Sequence, residues 1–98
     1  MCHLFASQSP GSYASETRSI RLNGQSTSIR LERLFWQILD QIAASEGVSA
    51  PRLISTLHRE ILLERGEVAN FTSCLRCICV VAIENARARF EPEAAEAA

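Results

Sequence analysis

Three cysteines crowd one short stretch, Cys74, Cys77 and Cys79, and a fourth stands beside a histidine at Cys2-His3. The Cys-x-x-Cys spacing serves zinc sites and redox dithiols alike. Zinc needs four ligands, usually in two spaced pairs. On a helix Cys79 falls on a different face from the other two, and Cys2-His3 would have to arrive from a distant arm. Redox dithiols normally sit in a thioredoxin-like setting, and no such pattern surrounds this one. Free cysteine ranks among the most buried residue types, so core packing is the expected role, with no metal and no cofactor. His58 is a base by type, but no recognisable motif sets a nucleophile beside it. Next to Arg59 and Glu60 it reads as a solvated or interface residue. Glu60 and Glu64 share one helix face and read as partners for arginine rather than as a carboxylate pair. There is no Gly-rich phosphate loop. The chain is therefore not expected to be an enzyme. Trp36 lies off the main apolar stripe of its segment, and burial under an N-terminal arm or in a second interface is expected over an exposed contact.

The more informative chemistry is that of arginine and serine. All ten basic residues are Arg. Arg suits bidentate contacts to phosphate and guanine, although a GC-rich genome produces the same bias. The formal net charge is −1, but Glu91, Glu93 and Glu96 lie in the last eight residues. The rest of the chain sets ten basic residues against eight acidic ones. From Arg18 to Arg33 there are four Arg and one Glu, so the basic charge is local.

These side chains sit in a pattern that must position them. Ser-Ile-Arg-Leu occurs twice, at 19–22 and 28–31, and each copy alternates polar with apolar. Period-two alternation marks a half-buried strand. Asn23-Gly24 lies between the copies and is a strong hairpin signal. Two short strands are expected, 18–22 and 26–31. Whether they pair with each other or with strands of a second chain is open. A helix follows over 32–45, with Leu34, Phe35, Ile38, Leu39 and Ile42 as its apolar stripe. Glu32 is expected in its first turn, where the helix dipole favours an acid, and Gly47 as its left-handed stop. Ser49 is the expected N-cap of a second helix reaching Arg65, with Pro51 in the first turn, Leu53, Ile54, Leu57 and Ile61 buried, and Gly66 beyond the end. A third helix is expected over 70–89. Its segment Cys74–Ile83 is apolar on nearly every side, which demands burial on every side. One small chain offers little cover for that, so a homodimer or higher oligomer is expected.

The organisation expected is an N-terminal arm (1–16) anchored by Leu4, Phe5 and Tyr13, one domain (17–90), and an acidic tail (91–98). The first residues lack the basic and apolar regions of an export signal, the longest apolar run is too short to span a bilayer, and the cysteines are expected to be reduced. A cytoplasmic protein without membrane contact is expected.

A strand running into a helix, a turn Glu46-Gly47-Val48-Ser49 and a second helix resembles the ribbon-helix-helix plan of Arc- and MetJ-like repressors over 26–66. More narrowly, Arg18–Leu22, Thr27–Glu32, Phe35-Trp36 and Arg65–Phe71 resemble a family of short bacterial ribbon-helix-helix domain proteins. The resemblance implies a mainly α fold with a short β-ribbon, here with a C-terminal third helix, built as an intertwined dimer. It implies DNA binding for transcriptional regulation, with an antiparallel ribbon in the major groove. Ser26, Ser28 and Arg30 would face the bases, supported by Arg21, while Thr27, Ile29 and Leu31 point inward. The amides near Ser49, Ala50 and Arg52 would face a phosphate, one donor short because of Pro51. The extra strand 18–22 would widen the ribbon to four strands, poorly matched to a groove about 12 Å wide. The alternative is a protein-interaction or antitoxin-like module that keeps the dimer fold and binds another protein through the third helix or the arm.

Overall fold

A computed structural model describes residues 10–90 of the chain. Cys2-His3, Leu4, Phe5 and the acidic tail lie outside the described residues. The elements run α1 (Pro10–Tyr13), β1 (Ser15–Leu22), β2 (Gln25–Glu32), α2 (Arg33–Ser45), α3 (Ala50–Arg65) and α4 (Phe71–Phe90).

The two alternating segments pair with each other. β1 and β2 form a two-stranded antiparallel sheet with Leu22 opposite Gln25 and Ser15 opposite Glu32. Asn23 and Gly24 both take positive φ, 50° and 79°. That is the tight turn whose twist matches the strands it joins. β1 starts at Ser15, earlier than the alternation from Arg18 indicates. Ile20, Leu22, Ile29 and Leu31 are buried on the inner face. Thr27, expected inward with Ile29 and Leu31, stands opposite Ile20 yet is exposed. The reason is the cover: α3 packs chiefly on β1, and beside the hairpin tip it faces Arg21, Asn23 and Gly24 rather than β2.

The buried line of α2 is turned from the expected stripe. Trp36, Leu39 and Ala43 are buried, Phe35, Ile38 and Ile42 are partly covered, and Leu34 is 49% exposed. The longer β1 explains the turn. Trp36 lies beneath it and its Nε1 donates to the Glu16 carbonyl at 2.8 Å. The Arg18 guanidinium stands 4.5 Å from the centre of the indole. Arg18 also donates to Asp40 Oδ1 at 3.0 Å and Glu16 Oε2 at 2.7 Å. The hydrogen bond to Asp40 is the chief reason its guanidinium binds its proton more tightly than usual. Tryptophan is thus buried within the chain itself, with its polar edge satisfied.

Glu32 is the last residue of β2 and the N-cap of α2, not part of the first turn. It is turned toward α4 instead, where its carboxylate accepts from Arg76 Nε at 3.1 Å. Its own backbone N–H, and then Arg76, hold its carboxyl below the usual carboxylate range. The turn into α3 is as the sequence indicates. Gly47 takes φ 71°, and the Ser49 side chain caps α3. Leu53 and Ile54 are buried, and Leu57 packs against them.

α4 crosses α2 and β2 and buries Leu75 and Cys79 there. The expectation of burial on every side does not hold within one chain. Val80, Val81 and Ile83 are 52%, 56% and 49% exposed, because α4 has neighbours on one side. Among the described residues no helix is long and apolar enough to cross a membrane.

Candidate nucleic-acid interface

Register fixes which side chains share the outer face of the hairpin. Thr17 is opposite Arg30, Ser19 opposite Ser28, and Arg21 opposite Ser26. All six are exposed, and they alternate with the buried Ile20, Leu22, Ile29 and Leu31. The face therefore carries two guanidiniums, four hydroxyls and no carboxylate among these pairs. Ser19 and Ser26 bring their Oγ atoms to 2.6 Å. Arg21 and Arg30 lie at opposite ends of this patch, about 13 Å apart at 3.3 Å per strand residue.

Seven of the arginines fall into two sets. Arg18, Arg33 and Arg76 form ion pairs with Glu16, Asp40 or Glu32. Arg21, Arg30, Arg52 and Arg59 are exposed, and none has a carboxylate partner among the described residues. A chain with nearly balanced charge thus leaves these cations without a carboxylate partner among the described residues, on the ribbon and the adjoining flank of α3. Ser26, Ser28, Arg30 and Arg21 stand together as the sequence places them. Thr17 and Ser19 complete the same face, and the repeated Ser-Ile-Arg-Leu is the signal for Ser19, since a hairpin sets the two copies side by side.

The amides at the start of α3 are largely engaged. Arg52 N–H donates to Ser49 Oγ at 3.3 Å, and Leu53 N–H to Ser49 O at 3.0 Å. Pro51 has none to give. Of the expected group at Ser49, Ala50 and Arg52, the Arg52 amide is taken by the cap, while its side chain remains exposed.

Of the three cysteines expected in the core, only Cys79 is packed there. Cys79 is buried, its Sγ 3.8 Å from the Phe35 carbonyl, and burial pushes its thiol pKa up to about 11. Cys74 is half-buried and Cys77 exposed. No group of three or more metal-ligating side chains occurs among the described residues. His58 is half-buried rather than solvated. Its ring meets Phe71 edge-on at 5.0 Å, and its Nδ1 is buried without a hydrogen-bond partner among the described residues. Glu60 and Glu64, expected to pair with arginine, form no ion pair among the described residues.

A hairpin with a polar, cationic outer face, followed by two capped helices around one core, is the geometry that known proteins match. The ribbon-helix-helix domain profile covers residues 15–83, from the first residue of β1 into α4. The chain belongs to the ribbon-helix-helix domain family. The match includes β1, so the additional strand is part of the family's domain and not an appendage. The chain is also similar to a solved structure, that of an uncharacterized protein from Bordetella pertussis Tohama I. The two are 44% identical with a TM-score of 0.85, over 91% of this chain and 72% of that one. No curated protein matches. Ribbon-helix-helix domains are a non-enzymatic fold family, typically of DNA-binding regulators that act as dimers.

Proposed function

We propose that this protein is a DNA-binding transcriptional regulator that reads the major groove with the outer face of its ribbon, as a homodimer. The observation that carries the reading is the composition of that face: hydroxyls and two guanidiniums without a carboxylate partner among the described residues, backed by a row of buried apolar residues. Arg30 is the base reader, because its planar fork matches the O6 and N7 acceptors of guanine. The serines and Thr17 add hydroxyl contacts of low selectivity.

The dimer gives the extra strand a role. Both strands of the two-stranded sheet have an open edge. Pairing β2 with its twin gives the order β1-β2-β2-β1, about 14 Å between the outer strands at about 4.8 Å per spacing. This exceeds the groove width of about 12 Å, so the central pair enters and each β1 rides on a groove wall. Arg21 then faces phosphate while Arg30 faces bases. The half-exposed apolar side of α4 lies available to the second chain.

A salt-dependent titration of the full chain with genomic and random duplex fragments tests this reading. Wild type is expected to prefer some fragments, and Arg30→Ala to lose that preference, worth roughly 1–3 kcal/mol for a lost bidentate base contact, with an unchanged melting curve. Equal binding of every fragment by both proteins, or binding by neither, contradicts it. The exposed Val80, Val81 and Ile83 favour the second reading, a protein-interaction module, in the latter case.

A further inference from the structure

A cleft of about 440 Å³ opens between the hairpin tip and the side of α3, lined among others by Arg21, Asn23, Arg52, Ser55, Thr56 and Arg59. We propose that this cleft is a phosphate site in which side chains do the work that helix amides cannot do here. Three guanidiniums from two elements line it, and no carboxylate among the described residues does. None of the three is in an ion pair among the described residues. Three unbalanced cations around one hollow repel each other, and an anion relieves that repulsion. Guanidinium forks and hydroxyls are also the donors that bind phosphate oxygens. Of the amides at the start of α3, that of Arg52 is taken by the Ser49 cap and Pro51 has none, so most of the positive charge lies on side chains, two of them along the helix. Thr56 and Arg59 are about two to three turns past the cap at Ser49, beyond the helix terminus itself.

The ligand is a phosphate ester. Its source is either the backbone of a duplex or a free nucleotide. The duplex source rests on the DNA reading above and follows from Arg21, which belongs to both the ribbon face and the cleft.

The test uses the full chain with Arg59→Ala and Arg59→Lys, after thermal melts confirm that both fold. Duplex affinity is measured against salt concentration, and adenosine monophosphate is titrated separately while amide resonances of Arg21, Arg52 and Ser55 are followed. For a duplex source, Arg59→Ala weakens all fragments alike and lowers the log–log salt slope by about one for each cleft engaged, while Arg59→Lys keeps the slope. For a nucleotide source, the monophosphate shifts those resonances saturably in wild type and not in Arg59→Ala. If the slope is unchanged and the monophosphate moves nothing, the cleft is not a phosphate site, even if Arg30→Ala abolishes fragment preference. If no duplex binds wild type but the monophosphate does, the DNA reading falls and the cleft stands.

Discussion

At the scale of single residues, chemistry here is decided by who has a partner. Arg18 is bound to Asp40, Glu16 and the face of Trp36, and so is structural. Arg30, in the same ribbon, faces outward with no carboxylate opposite it. The pairing register distinguishes the two: Arg18 stands opposite the buried Ile29 and Arg30 opposite the exposed Thr17, and directly paired residues share a face. The cysteines divide in the same way. Cys79 has its thiol raised to about 11 by burial, so it stays protonated and unreactive at neutral pH. Iodoacetamide at pH 8 is expected to leave Cys79 unmodified in the folded protein and to modify it fully in denaturant. Peptide mass mapping reads the difference, and rapid labelling of Cys79 in the native state would place it outside the core. His58 shows where sequence reasoning stops: nothing in its neighbours along the chain reveals that Phe71, from the next helix, covers it.

Among the elements, those with local signals are legible in the sequence and those set by tertiary contact are not. Asn23-Gly24, Gly47, Ser49 and Gly66 each mark a boundary by a backbone or capping requirement of their own, and the structure keeps each. The buried line of α2 has no such marker. It is chosen by the strand that lies over the helix, and β1 begins before its alternation becomes readable because Ser15, Glu16 and Thr17 are all polar. Trp36 therefore reads as lying off the main stripe, covered by the arm or by a second interface, and in the fold it belongs to the core, bonded to Glu16 at the start of β1. The amide group at α3 differs from expectation for a similar reason, because a good N-cap consumes the donor that a phosphate would use. The hairpin turn itself supports a direct test. Gly24 takes φ 79° with open space where a Cβ would stand, so Gly24→Ala costs backbone strain alone. About 1 kcal/mol is expected in a denaturant melt. No loss of stability would mean that the turn relaxes freely and does not fix the register that aligns Arg21 with Ser26.

For the whole molecule, the unfinished surface is the argument for a partner. The apolar stretch of α4 is visible in the sequence as a demand for cover, and the single chain supplies cover on one side only. The ribbon has open edges, and its outer face presents one Arg30 per chain. A two-fold assembly would double the outer ribbon face and cover apolar surface in one step. Sedimentation of the full chain at micromolar concentration, alone and with a fluorescently labelled duplex that it prefers, measures this most directly. The expected result is a species of about twice 10.8 kDa without DNA, and an even number of chains moving with each duplex. A folded monomer near 10.8 kDa throughout that range, with the duplex sedimenting unaccompanied, would contradict it.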